Sequence, residues 1–130
     1  MSGRREYRVA GQAEPISHFT DAVAGGGLLF VSGIVAVDES RELVGRDDVV
    51  AQARKVFENM GDVLRAAGCS FADVVKLTIF LTNVNDRPLV NPVRQEVFGA
   101  TRPASTLVGI PALVIPGAKI EVEAVAVMPE

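Results

Sequence analysis

The chain has 130 residues, enough for one domain to bury roughly two-thirds of its unfolded surface, so neither a metal nor a disulfide staple is required. Hydrophobic residues make up 48%, which excludes disorder, and the lone Cys69 excludes an internal disulfide or a thiolate metal cluster. A formal net charge of -3, with no Lys/Arg cluster beyond Arg4-Arg5, gives no general attraction to nucleic acid.

The N-terminal run Met1-Ser2-Gly3-Arg4-Arg5-Glu6 lacks the apolar core of a signal peptide, and no apolar stretch approaches a membrane span. With a single cysteine, which suits a reducing compartment, the expectation is a soluble cytoplasmic protein. A first strand is expected near Tyr7 to Ala10. Two apolar runs follow, Ala22 to Ala24 and Leu28 to Ser32, and Gly25-Gly26-Gly27 between them reads as a hairpin turn. The period then changes. Val49, Ala53, Val56, Phe57, Met60, Val63, Leu64 and Ala67 recur at spacings of three and four, the stripe of an amphipathic helix. Asp47 or Asp48 caps its start, and Gly68 stops it.

Val74 to Leu81, β-branched and aromatic, reads as a strand. A second helix follows, with Asp86 or Asn91 as cap, Pro88 or Pro92 in its first turn, and Leu89, Val90, Val93, Val97 and Phe98 on its buried side. Two strands close the chain, Ser105 to Ile110 and Lys119 to Met128. The order is β-β-β-α-β-α-β-β, an α+β domain spanning residues 1–130.

Two helices cover one face of such a sheet. Strict alternation sends Val75, Leu77, Ile79 and Leu81 to one side, and Val74, Lys76, Thr78 and Phe80 to the other. In the last strand Ile120, Val122, Ala124 and Ala126 alternate with Glu121, Glu123, Val125 and Val127. The second face therefore mixes apolar residues with carboxylates, and a monomer exposes an apolar patch there. A neighbouring subunit is the expected cover; a partly solvated sheet face is the alternative.

There is no Gly-rich phosphate loop and no serine-nucleophile elbow. One histidine, His18, in a loop, excludes a two-histidine ribonuclease or a His-rich metal site. Cys69, directly after the helix stop, reads as packing. Glu121 and Glu123 remain. A carboxylate in a partly dry pocket has a raised pKa and serves as general acid or base; the alternative is that both pair with Lys76 or neighbouring arginines.

At this point the residues resemble the reactive intermediate deaminase family (Rid, also called YjgF-type), small proteins that hydrolyse imines and enamines. The resemblance covers nearly the whole chain. It rests on Leu29-Phe30-Val31-Ser32-Gly33, on Ala66-Ala67-Gly68 followed by Asp73-Val74-Val75-Lys76, on Thr78-Ile79-Phe80-Leu81, on Val90-Asn91, and on Ile120-Glu121-Val122-Glu123-Ala124-Val125-Ala126. It implies a chorismate-mutase-like fold, one sheet with two helices on one face, and a homotrimer with a central β-barrel and clefts between subunits. It implies a small-molecule ligand, no cofactor and no metal.

Carried over by position, the resemblance makes Glu121 the water-handling glutamate and Asn91 the asparagine opening the second helix. Ser32 and Gly33 become the strand end that positions substrate, and Phe19 takes the place of a pocket tyrosine, without its hydroxyl. One departure matters. The chain reads Pro103-Ala104-Ser105-Thr106, so Ser105 stands where the family's carboxylate-binding arginine is expected. A guanidinium fork donates two parallel hydrogen bonds to a carboxylate, and a hydroxyl does not replace it. Arg102, three residues earlier, and Arg94, one helical turn after Asn91, are the candidates to stand in; exposed arginines or interface ion pairs are the alternative for both. The implied activity is hydrolysis of an imine or enamine by a divergent member. A non-catalytic metabolite-binding member is the second reading. An endoribonuclease or translation inhibitor, an older description of the family, fits poorly with the acidic balance, 5% aromatics and single histidine.

Overall fold

The computed structural model describes residues 3–129. Six strands form one sheet: β1 (Arg5–Tyr7), β2 (Ala22–Gly25), β3 (Leu28–Ile34), β4 (Val74–Leu81), β5 (Ala104–Gly109) and β6 (Ile120–Val127). Two helices, α1 (Val49–Ala66) and α2 (Arg87–Phe98), follow β3 and β4. The order across the sheet is β1-β2-β3-β6-β4-β5, antiparallel except for the parallel pair β4-β5. Fold class and element order match the expectation. Among the described residues no helix is long and apolar enough to cross a membrane.

The local reasons are readable. The β2-β3 hairpin closes through Gly26 and Gly27, both at positive φ, the two-residue turn whose twist suits antiparallel strands. Asp48 caps α1 by accepting from the amides of Val50 and Ala51, and Gly68, at φ 80°, follows its end. The apolar stripe of α1 packs on Leu29, Leu77, Ile79, Ile120 and Val122, all fully buried. Phe57 of α1, Phe98 of α2 and Phe71 meet edge to face with ring centroids 5.4 to 6.4 Å apart, fixing the two helices together.

Four expectations need correction. β1 is Arg5–Tyr7, because the Asp21 carboxylate accepts from the Val9 amide and pairs with Arg8, drawing the chain out of the ladder. Val75 does not share a face with Leu77. An extra residue on β4 between the pairs Val74↔Ala126 and Lys76↔Val125 is a bulge, which buries Val74 and turns Val75 outward. Leu89 lies on the exposed side of α2. Asn91 does not open α2: Asp86 holds the N-cap position, Pro88 sits in the first turn, and Asn91 falls in the second.

The face opposite the helices carries Phe30, Val75, Val108 and Val127, exposed by 38 to 49%. Their neighbours there are Phe80, Val125, Glu121 and Glu123.

One buried polar side chain ties the loops together. Gln52 of α1, fully buried, donates to the carbonyls of Gly45 and Gly117, each at 3.1 Å, and accepts from the Lys119 amide at 2.7 Å. Gln52→Leu orphans these groups, and urea unfolding is expected to show a loss of about 2–4 kcal/mol. An unchanged midpoint would mean that other donors take over.

Candidate functional site

β3 and β6 run in register until Val31↔Ala124, then resume at Ile34↔Val122. The extra residue makes a bulge at Ser32-Gly33, which brings the backbone against the Glu121 side chain. A Cβ at Gly33 would lie 2.0 Å from Glu121 Oε1, so a larger residue there would displace the Glu121 carboxylate from this position. Ser32 is held by its own bonds: its amide donates to the Asp21 carbonyl and its hydroxyl to the Thr20 carbonyl.

Gly33, Glu121 and Phe19 line one cavity of about 390 Å³. Its walls are the 11–17 loop, the 35–41 segment and one side of α1. Those walls are set by two side chains that sequence reasoning passed over. Asn59, buried, donates to the carbonyls of Val35 and Val37; Gln12 donates to the Asn59 carbonyl and to Asp62. The signal was present: Gln52 and Asn59, seven residues apart, are polar residues beside the apolar stripe of α1. Ser32 borders a separate depression with His18 and Phe19.

Glu121 is partly buried and, among the described residues, is in no ion pair. Burial raises its carboxyl above the ordinary carboxylate value, and the charge of Glu123 pushes the same way. The alternative pairing with Lys76 is not made: Lys76 donates to the Thr106 hydroxyl at 2.7 Å. A carboxyl so placed keeps its proton to a higher pH than an exposed one. Cys69 is buried, and burial raises its thiol pKa, in keeping with packing. No group of three or more His, Cys, Asp or Glu side chains among the described residues is placed to hold a metal.

Asn91, Ser105 and Arg102 are elsewhere. Ser105 pairs with Leu77, whose side chain is buried under the helices, whereas Glu121 pairs with Phe80 on the opposite face. β5 is also two strands away from β6. One chain therefore does not bring Ser105 and Glu121 together. Arg94 Nη2 donates to Ser105 Oγ at 2.8 Å. Arg102 lies before β5, exposed and without a hydrogen bond or ion pair among the described residues.

Residues 10–128 match the family described as Endoribonuclease L-PSP. A RutC family protein of Synechocystis is 37% identical over 117 residues, 88% of this chain and 89% of the relative. The human 2-iminobutanoate/2-iminopropanoate deaminase is 34% identical over 124 residues, 95% of this chain and 90% of the relative. A Yersinia pestis structure, described as a protein of unknown function of the conserved Rid family, superposes with a TM-score of 0.91 at 30% identity, covering 97% of this chain and all of that one.

Because the folded pKa of Glu121 is raised, the native state binds more protons than the unfolded one between the two values. Its contribution is present below the unfolded pKa and is lost as pH rises through the folded one. Glu121→Gln is therefore expected to melt higher than the native chain at about pH 8, with the difference closing below about pH 4. A difference independent of pH, measured by calorimetry, would contradict this.

Proposed function

We propose that this chain, which belongs to the Endoribonuclease L-PSP family of Rid and RutC proteins, is a divergent deaminase that hydrolyses a small imine or enamine. It works as a cytoplasmic homotrimer of single-domain subunits and needs no cofactor. The observation that carries the reading is Glu121: a carboxylate in a cavity, partly desolvated, without an ion-pair partner among the described residues, and lying against the Gly33 backbone, where a larger residue would displace it. A relative named as an imine deaminase supports it.

The chemistry follows from that group. The Glu121 carboxylate accepts a proton from water as the water oxygen adds to the imine carbon. The carboxyl then returns the proton to nitrogen. The resulting carbinolamine collapses as Glu121 takes its hydroxyl proton and delivers it to the amino group, so the C–N bond breaks, ammonia leaves and a carbonyl remains. A carboxyl with a raised pKa serves both directions of this transfer.

The open sheet face argues for the assembly. Exposed Phe30, Val75, Val108 and Val127 form a patch of the kind that subunits bury. On this reading a neighbouring copy completes the split site with its Asn91 and Ser105, which within one chain do not line the Glu121 cavity.

The second reading is a metabolite-binding protein without turnover, favoured by Ser105 in the expected arginine position and by Phe19, which has no hydroxyl. The family's description points to ribonuclease activity, but the one histidine is an exposed loop residue and the net charge is -3.

The test is imine disappearance, with imines generated in situ by an amino-acid oxidase. The native protein is expected to accelerate loss over a no-protein control. Glu121→Gln is expected to lower that rate by about a hundredfold or more while leaving the assembly intact by light scattering. Full activity in Glu121→Gln would remove the proposed role. No acceleration by the native protein on any imine would favour the binding reading.

A further inference from the structure

We infer that the Glu121 cavity takes an amine-derived imine, a ligand with a protonated nitrogen, an apolar chain and no carboxylate. That the ligand is hydrolysed rests on the reading above; its chemical class rests on how the cavity is lined.

The charge of the lining is one-sided. Seven carboxylates border the cavity against two cations, Arg41 and Lys55, and both cations are engaged. Lys55 pairs with Glu58 at 3.0 Å, and Arg41 donates to the Glu14 carbonyl. Arg8 and Arg65, from outside the lining, meet Asp21, Glu14 and Asp62. Asp38, Glu39 and Glu121 are left without an ion pair among the described residues. Asp38 accepts from the amides of Ser40 and Glu42, which fixes its place but keeps its charge. A ligand carboxylate entering this cavity meets like charge and only cations that are already bonded. A ligand cation meets opposite charge.

Glu121 points the same way. Burial and the charge of Glu123 both press its carboxyl toward the neutral form. A protonated nitrogen beside it acts in the opposite sense and restores the carboxylate, the form that takes a proton from water. The iminium and one water then give an aldehyde and ammonium, balanced in atoms and charge with no co-reactant.

The second observation is independent of charge. Ile16, Phe19 and Val114 line the same cavity and stay exposed, by 45%, 49% and 75%. They come from the 11–17 loop, the stretch before β2 and the loop before β6, so they converge on the cavity from three separate segments. Single exposed apolar side chains are ordinary, but three that meet at one cavity offer a surface to an aliphatic chain. Carboxylates and apolar side chains in one lining complement a ligand with a cationic head and an apolar tail.

The experiment titrates pentylamine, pentanoate, pentanol and methylamine into the native protein at pH 7 by calorimetry, and repeats it with Glu121→Gln and Phe19→Ala. Pentylamine is expected to bind at least about tenfold more tightly than pentanoate, which has the same chain and the opposite charge, and than methylamine, which lacks the chain. Glu121→Gln is expected to weaken pentylamine by about tenfold and leave pentanol unchanged. Phe19→Ala is expected to weaken pentylamine severalfold and leave methylamine unchanged. Equal or tighter binding of pentanoate overturns the inference and means that a cation from a neighbouring subunit sets the charge of the site. Failure to bind pentylamine overturns it too, as does pentylamine binding that neither substitution alters. Turnover separates this inference from the hydrolase reading. Imines are generated in situ from pentylamine by an amine oxidase and from norvaline by an amino-acid oxidase. Pentylamine binding without hydrolysis of either imine keeps the ligand class and removes the hydrolase. Faster hydrolysis of the norvaline imine keeps the hydrolase and overturns the ligand class.

Discussion

The approach of the Gly33 backbone to the Glu121 carboxylate sets the geometry of this molecule. It exists because β3 carries one residue more than β6 at that point, so the strand bows where the side chain rises. The segment that follows is tied to α1 by Asn59, which donates to the Val35 and Val37 carbonyls, and the 11–17 loop is tied to the same helix by Gln12. A cavity results with the Glu121 carboxylate in its wall and, among the described residues, no ion pair on it: Lys55 of the same lining pairs with Glu58, and Arg41 donates to the Glu14 carbonyl. Hydrophobic packing supplies the stability of the fold; the bulge supplies the position of the chemical group.

The second constraint is the alternation of a sheet. Residues that share a strand pair share a face, so Glu121 goes with Phe80 and Ser105 goes with Leu77, back to back. A site needing both Glu121 and the α2-β5 edge is not assembled within one subunit. The apolar face around Phe30 and Val127 gives a second copy a reason to dock. In the proposed assembly the two are one requirement: the contact that buries the patch also completes the site.

Much of this was legible in the sequence. The α1 stripe, its Asp48 cap, the glycine hairpin and the alternation of β6 are periodic or local signals, and the structure follows them. Fold class and family were legible too, because many short motifs agree in order and spacing. What the sequence hid was two-body geometry. The bulge at Val74-Val75 reverses a face without altering composition. Asp21 ends β1 early through a long-range bond to Val9. Phe19, Gly33 and Glu121 were named as site residues and do share a cavity, while Asn91, Ser105 and Arg102 do not join it. The bond from Arg94 to Ser105 links a helix to a strand edge, and no spacing rule reports that.

The central claim is that the reacting site lies between subunits, with Glu121 from one and the α2-β5 edge from the next. It is tested most directly by mixing two inactive variants, Glu121→Gln and Asn91→Ala/Arg94→Gln, unfolding them together and refolding them into shared assemblies. If the site spans the interface, random assortment in a ring pairs an intact Glu121 with an intact neighbouring edge at about one quarter of the sites, and imine hydrolysis returns to about that fraction of the native rate. If each subunit carries a whole site, no mixed assembly contains an intact one, and activity stays at the level of the separate variants.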